Sequence, residues 1–324
     1  MNQDISVEDA VGRFLAHKRA LGRKYHSEES ELRLLSRFAA GQNAAGLGGL
    51  TPAMLEEFLG ARPRNRPRSF NHLLGVTGGL FRWAVAQELL QAAPVLPRPR
   101  KAASGRVPFL FTAVQARGLL AVASRLPDNE RARGRGHVYQ AVFALCYGLG
   151  LRAAEACGLS LGSIDAGRSL LTVRGGKFGK DRLIPHGPRI GALITAQAQR
   201  RRDSDPAAGP GSPLFTFDGR RSIHPGTASQ VFHRLVPVLG LPVPDGVSPP
   251  TLHHLRHSFA VGCLLRWYRE GSDPQSKLHQ LSTFMGHVDP ESSAVYLTIT
   301  ADLLAEANRR FEAFAGPAWL EAAL

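Results

Sequence analysis

Apolar side chains recur every three or four positions through residues 7–90, the spacing that gives a helix one buried face. Val7, Val11, Phe14 and Leu15 form such a stripe over 7–21, with the Lys18 stem able to lie along it and Gly22 as a stop. Ser27 is placed to cap a second helix over 27–41 carrying Leu32, Leu34, Leu35 and Phe38. The joint Gly46-Leu-Gly-Gly precedes Thr51-Pro52, a capping residue followed by proline at the first helical position, which predicts a short helix over 53–59. A fourth helix is expected over 69–90, with Phe70, Leu73, Leu74, Leu80, Phe81 and Trp83 buried.

Between 92 and 106 the pattern lapses into proline, arginine and lysine, which reads as an extended basic linker. Helical periodicity resumes beyond it. Thr112 and Gln115 have capping-box spacing and open a helix reaching 125, and an apolar helix covers 138–149. Short strands at 163–165, 170–174 and 182–185 follow, the last two flanking the turn Gly175-Gly-Lys-Phe-Gly-Lys-Asp181 as a hairpin. Helices are then expected over 188–200, 226–238, 251–268, 275–286 and 290–314, with a Pro/Gly/Asp loop at 203–213. The fold class is therefore mainly α with a small β-sheet, in a helical domain over 1–91, a linker over 92–106 and a mixed α/β domain over 107–324.

Charge changes the picture. The 324 residues carry a net charge of +14, and residues 1–106 hold 16 basic and 9 acidic side chains, half of that excess. Such a protein concentrates polyanions around itself and gains from counterion release when it binds them. Both halves are thus suited to one nucleic acid, and the run Arg62, Arg64, Arg66, Arg68 offers phosphate contacts where it is more than a solvated loop. The polar, acidic amino terminus and the lack of long apolar runs predict a cytoplasmic protein with no membrane partner. Three scattered cysteines without a CxxC pair exclude a disulfide framework and argue against structural zinc.

Five places concentrate polar side chains. At Gly148-Leu-Gly-Leu-Arg152-Ala-Ala-Glu155, the arginine fork suits two phosphate oxygens, or pairs simply with Glu155. Lys177, among turn glycines, is either solvated or able to reach a groove and donate a proton. On a helix, His253, Arg256 and His257 share a face while Leu255 and Phe259 turn inward. The His253 to His257 spacing is that of a zinc-protease helix, yet His254 stands where glutamate is needed, so metal is the poorer reading. The remaining two places are Met285-Gly286-His287 and Tyr296, a phenol that attacks phosphorus only when cations stabilise its anion or a base takes its proton.

Taken together, these segments resemble the tyrosine recombinase, or phage integrase, family. Gly150-Leu-Arg-Ala-Ala-Glu155 resembles its first arginine motif, Gly176-Lys-Phe-Gly-Lys-Asp-Arg-Leu-Ile-Pro185 its β-hairpin lysine motif, and His253-His-Leu-Arg-His-Ser-Phe-Ala260 its second arginine box. His287 and Tyr296 follow in family order, and the likeness covers roughly 107–314. The stretch 265–280 is longer than is common in the family, which is similar to transposon and plasmid integrases.

The resemblance implies a helical core-binding domain followed by a catalytic domain, and a catalytic set of Arg152, Lys177, His253, Arg256, His287 and Tyr296. Glu155 would orient Arg152, and Lys180 would be a rival for Lys177 or a DNA contact. It implies cleavage through a 3′-phosphotyrosyl link with no metal, ATP or other cofactor, on double-stranded DNA, by a homo-oligomer with a dimer per site and a tetrameric synapse, with sister recombinases as further partners. The apolar tail 316–324 would dock on a neighbouring subunit. Two alternatives share this scaffold: a type IB topoisomerase-like enzyme and a non-catalytic DNA-binding regulator.

Overall fold

The computed structural model describes residues 5–44, 46–61, 66–101, 106–175, 181–286, 305–306 and 308–309. The chain divides into two units, Met1–Gly105 and Arg106–Leu324.

The first unit consists of four helices, α1 (Val7–Ala20), α2 (His26–Gly41), α3 (Pro52–Gly60) and α4 (Pro67–Ala86). Side-chain caps start two of them: Ser6 accepts from the Asp9 amide of α1, and Thr51 from the Met54 amide of α3. Ser27 does not cap α2, which begins one residue earlier behind Tyr25 in the left-handed region at φ 50°. α4 runs from Pro67, which supplies the first helical turn at no hydrogen-bond cost, and ends at Ala86 rather than 90 because Glu88 turns to φ 57°. Phe70, Leu73, Leu74, Leu80, Phe81 and Trp83 are buried along α4 against Phe14, Leu32, Leu35 and Phe58. Lys18 extends over the Phe14 ring, its ammonium 5.2 Å from the centroid.

Residues 92–101 have no regular structure, as their prolines require. They are nevertheless held by α4. Asn71 accepts from the Arg100 amide and donates to its carbonyl, both at 2.8 Å, and the Arg100 guanidinium sits 4.0 Å from the Phe70 ring centre. Leu96 packs so closely over Gly78 that a Cβ there would lie 3.1 Å from it.

In the second unit, α5 (Ala113–Ser124) and α6 (Arg135–Gly148) lead to the short α7 (Ala153–Cys157). The strands β1 (Ile164–Asp165), β2 (Leu170–Val173) and β3 (Arg182–Pro185) form an antiparallel sheet in that order. α8 (Pro188–Ser204), α9 (Pro225–Leu235), α10 (Leu252–Arg269) and α11 (Pro274–Met285) complete it. The capping box of Thr112 and Gln115 forms as expected. α6 starts three residues before the expected position, because Gly134 takes φ 70° and Asp128 accepts the Arg135 amide at 3.0 Å. Val138, Tyr139, Ala141, Val142, Phe143, Leu145 and Cys146 make α6 apolar almost all round, and it forms the centre of the larger core with α5, α8 and α10 packed against it.

Residues 265–280 form the end of α10, a tight turn with Gly271 at φ 81°, and the start of α11, where Asp273 accepts from the Gln275 and Ser276 amides. Leu264, Trp267, Leu278, Leu281 and Met285 share a small core between these two helices. The helix expected over 290–314 falls almost wholly outside the described residues. So do the hairpin tip with Lys177 and Lys180, and His287, Tyr296 and the tail 316–324. No described helix is long and apolar enough to cross a membrane.

Candidate active site

Arginine enters the site where α6 stops. Gly150, at φ 60°, turns the chain so that Arg152 becomes the residue before α7, and Glu155 reaches back to accept the Arg152 amide at 2.9 Å. The same carboxylate accepts Arg152 Nη1 at 2.8 Å. The local pairing of Arg152 with Glu155 is thus real, but it is only part of a larger cluster.

The second arginine arrives from α10. Arg256 is the largest fully buried side chain, 1% exposed, and donates through Nη1 to the Gly150 carbonyl and through Nη2 to the Met285 carbonyl at 2.7 Å. Its Nη1 lies 3.9 Å from Glu155. Arg152 meets the same helix end, donating through Nη1 to Met285 at 3.4 Å and through Nη2 to the Gly286 carbonyl at 3.1 Å. Three cationic side chains therefore gather around one carboxylate and the last carbonyls of α11, where the helix dipole places partial negative charge. The third is Arg182, on β3. Its guanidinium forks onto both oxygens of Glu155 at 3.0 and 2.8 Å, and its Nε donates to the Phe284 carbonyl at 3.0 Å.

Arg182 escaped the sequence reading as a site residue, although a signal was available. It lies opposite buried Val173 in the ladder and alternates with exposed Leu183, so its side chain faces inward, where an arginine requires an acid.

Charge sets the protonation of the cluster. Burial pushes the Glu155 carboxyl upward, but hydrogen bonds from Arg182 and Arg152 outweigh it and bring the pKa down to about 2. His253 is exposed on α10, and its pKa is held below the usual imidazole value, first by desolvation and then by the charges of Arg256 and Arg152. Its ring meets that of His257 edge-on at 4.7 Å. His254 turns inward and is pushed to about 4 by burial and by His253, and its Nδ1 accepts the Thr251 amide at the start of α10. Burial raises the Cys157 thiol to about 12 and moves Cys146 further in the same direction, so both are packing residues and not nucleophiles.

The site backbone leaves no room for a side chain at Gly150, where a Cβ would lie 2.5 Å from the Phe259 ring. Gly150→Ala is expected to cost about 2–4 kcal/mol, from the left-handed backbone and the clash together. Gly262→Ala, in open space on α10, is expected to stabilise by about 0.5–1 kcal/mol. Urea unfolding of the two variants checks both signs.

The structure thus brings together Arg152, Glu155 and Arg256, with His253 nearby. Lys177, Lys180, His287 and Tyr296 lie outside the described residues, as do Arg62 and Arg64. Arg66 and Arg68 are exposed at the start of α4. No group of three or more His, Cys, Asp or Glu side chains able to hold a metal occurs among the described residues.

Comparison with known proteins identifies the family. The model of the phage integrase family matches residues 112–302, more than half of the chain. A putative integrase/recombinase, y4rB, of Sinorhizobium fredii is 32% identical over 95% of this chain and 97% of its own length. Tyrosine recombinase XerC of Rhodospirillum centenum is 30% identical over 90% of this chain and 82% of its own. Among solved structures, the Tn1549 transposon integrase in complex with transposon right end DNA superposes with a TM-score of 0.65 at 17% identity, covering 96% of this chain and all of that one. The chain belongs to the phage integrase family. It is a tyrosine-type site-specific recombinase.

Proposed function

We propose that this protein cleaves and rejoins DNA strands at a specific site through a 3′-phosphotyrosyl intermediate, in the integration, excision or resolution of a mobile element. The observation that carries the reading is the convergence of Arg152 and Arg256, distant in sequence, on the Met285 carbonyl at the end of α11. A phosphodiester gains negative charge on the way to its pentacoordinate transition state, so two guanidiniums on its nonbridging oxygens bind that state better than the ground state. Arg152, with its side chain 27% exposed, is the more accessible of the two, and DNA binding has to uncover Arg256.

In this mechanism Tyr296 attacks phosphorus, and the bond to the 5′ oxygen breaks. His253 assists in taking the phenol proton, Lys177 protonates the departing 5′ oxygen, and His287 donates to the phosphate. The phosphotyrosyl bond conserves the energy of the broken linkage, so a 5′-hydroxyl from another strand reverses the step and completes the exchange. Neither a metal nor a nucleotide cofactor is called for.

Duplex DNA is the partner that the net charge of +14 favours, with Arg62, Arg64, Arg66, Arg68 and Lys180 as phosphate contacts. Assembly as a dimer on each site and a tetramer in the synapse is supported by the family fold, whose solved members include a lambda integrase dimer bound to a core site and a lambda integrase tetramer bound to a Holliday junction. The tail 316–324 is proposed as the segment that docks between subunits, and the cytoplasm as the place of action.

A nicked suicide duplex, from which the short fragment carrying the new 5′-hydroxyl diffuses away, tests the reading. The protein is expected to accumulate as a covalent DNA adduct, and mass spectrometry of the digested adduct is expected to find the nucleotide on Tyr296. Binding to the duplex with no adduct would replace this reading by that of a DNA-binding regulator.

A further inference from the structure

Glu155 carries one negative charge and serves three guanidiniums. The two that the proposed reaction needs, on Arg152 and Arg256, are not its main partners. Arg152 gives it one side-chain nitrogen, and Arg256 stands off at 3.9 Å, with its donors on the Gly150 and Met285 carbonyls. Arg182 instead occupies both carboxylate oxygens in a fork, the strongest geometry open to an arginine and an acid. Its third nitrogen direction holds the Phe284 carbonyl, and the side chain is only 11% exposed. Gly286, at φ 67°, wraps so tightly over this guanidinium that a Cβ there would lie 2.8 Å from Arg182 Nη1, and its carbonyl accepts from Arg152.

Without Arg182, the carboxylate would be buried with unfilled lone pairs beside two other guanidiniums, Arg152 already bonded to it and Arg256 3.9 Å away. An unpaired buried charge is costly, so the remaining partners close in on it. The nearest are the two site arginines. Arg152 would turn its fork fully onto Glu155, and Arg256 would be drawn the short distance from Gly150.

We infer that Arg182 is a positioning residue of the cleavage site: by forking onto both Glu155 oxygens and holding the end of α11, it limits Arg152 to a single side-chain contact with the carboxylate and leaves Arg256 on the Gly150 and Met285 carbonyls, positions from which both can turn to a phosphate. This rests on the recombinase reading and adds to it a third arginine that never touches DNA. Its effect belongs to the chemical step, since its donors are already occupied within the protein.

The test compares the full-length protein with Arg182→Gln and with the pair Arg182→Gln plus Glu155→Gln, on the suicide duplex at saturating protein. Arg182→Gln is expected to lower the single-turnover cleavage rate by about 100-fold, the scale of a small misplacement of reacting groups, with DNA affinity within about threefold of the parent. Neutralising the orphaned acid in the pair is expected to recover about tenfold of that rate, because the arginines are no longer pulled aside. Where Arg182→Gln does not hold its fold by circular dichroism, Arg182→Lys is read instead, which keeps the charge and loses the fork. It is expected to show the same split, with cleavage down by about tenfold. Cleavage by Arg182→Gln at the parent rate, a loss of affinity equal to the loss of rate, or a pair no faster than the single variant would each overturn the inference. Failure of the parent itself to form an adduct would instead overturn the recombinase reading, and this inference with it.

Discussion

Arg256→Ala is expected to lower the stability of the second unit by about 3–5 kcal/mol and strand cleavage by about 10³-fold or more, the two losses arising from the same atoms. The side chain is 1% exposed and supplies donors to the Gly150 and Met285 carbonyls, which join the end of α6 to the end of α11. Alanine removes the donor to the Gly150 carbonyl and leaves the Met285 carbonyl only the longer contact from Arg152 at 3.4 Å, and each missing buried partner costs about 1–3 kcal/mol. For a unit of this size the midpoint of thermal unfolding is expected to fall by about 10 °C. Arg256→Lys keeps the charge, but a single ammonium cannot reproduce the two-pronged contact, so it is expected to recover only part of the stability and little of the cleavage. Thermal unfolding and suicide-substrate cleavage, both run where the variants remain folded, check the pair. A stability change below about 1 kcal/mol would contradict the buried contacts described above.

The second large effect is a pH dependence that resides in Glu155. Its carboxyl ionises at about 2 in the folded protein, against an ordinary value of 4.5. A group with a depressed folded pKa stabilises the fold above its unfolded pKa, and that stabilisation is lost as the pH falls towards the folded value. The shift corresponds to a contribution on the order of 3 kcal/mol, complete at pH 6 and disappearing between about pH 5 and pH 2. Glu155→Gln removes the titration. Urea unfolding followed from pH 6 to pH 3 is expected to show the parent losing stability more steeply than the variant, the gap between them narrowing as the pH drops. Parallel curves would mean that Glu155 is not the acid the three arginines depend on.

Much of this was legible in the sequence, for identifiable reasons. The Thr112/Gln115 box and the Thr51-Pro52 start are local signals that were read correctly, whereas the cap expected at Ser27 does not form. The apolar stripe on α4 also marked its core residues well, since one-faced burial repeats with the helix turn. Boundaries were less well read where backbone conformation decides them, as at Tyr25 and Glu88, which take left-handed angles without a glycine to announce them. The basic stretch after α4 looked free because nothing local shows that Asn71 holds Arg100 from 29 residues away. On α10, Arg256 was placed with His253 and His257 on one polar face, whereas His253 is exposed, His257 is partly so and Arg256 is buried. Its burial depends on the α6 and α11 carbonyls, contacts that sequence spacing does not encode. Arg182 shows the same limit: its inward direction follows from strand alternation, but its acid partner lies 27 residues earlier, on α7.

The free enzyme already keeps its cations company. The spent end of α11 presents three carbonyl dipoles to guanidiniums that would otherwise repel one another, and it does so before any nucleic acid arrives. On the proposed reading, an incoming phosphate performs an exchange, displacing carbonyl acceptors and competing with Glu155 for Arg152, and the advantage at a carbonyl seat is only the difference between an ion and a dipole. Such a centre is assembled during folding, and its grip on the substrate is correspondingly gentler than a count of arginines suggests.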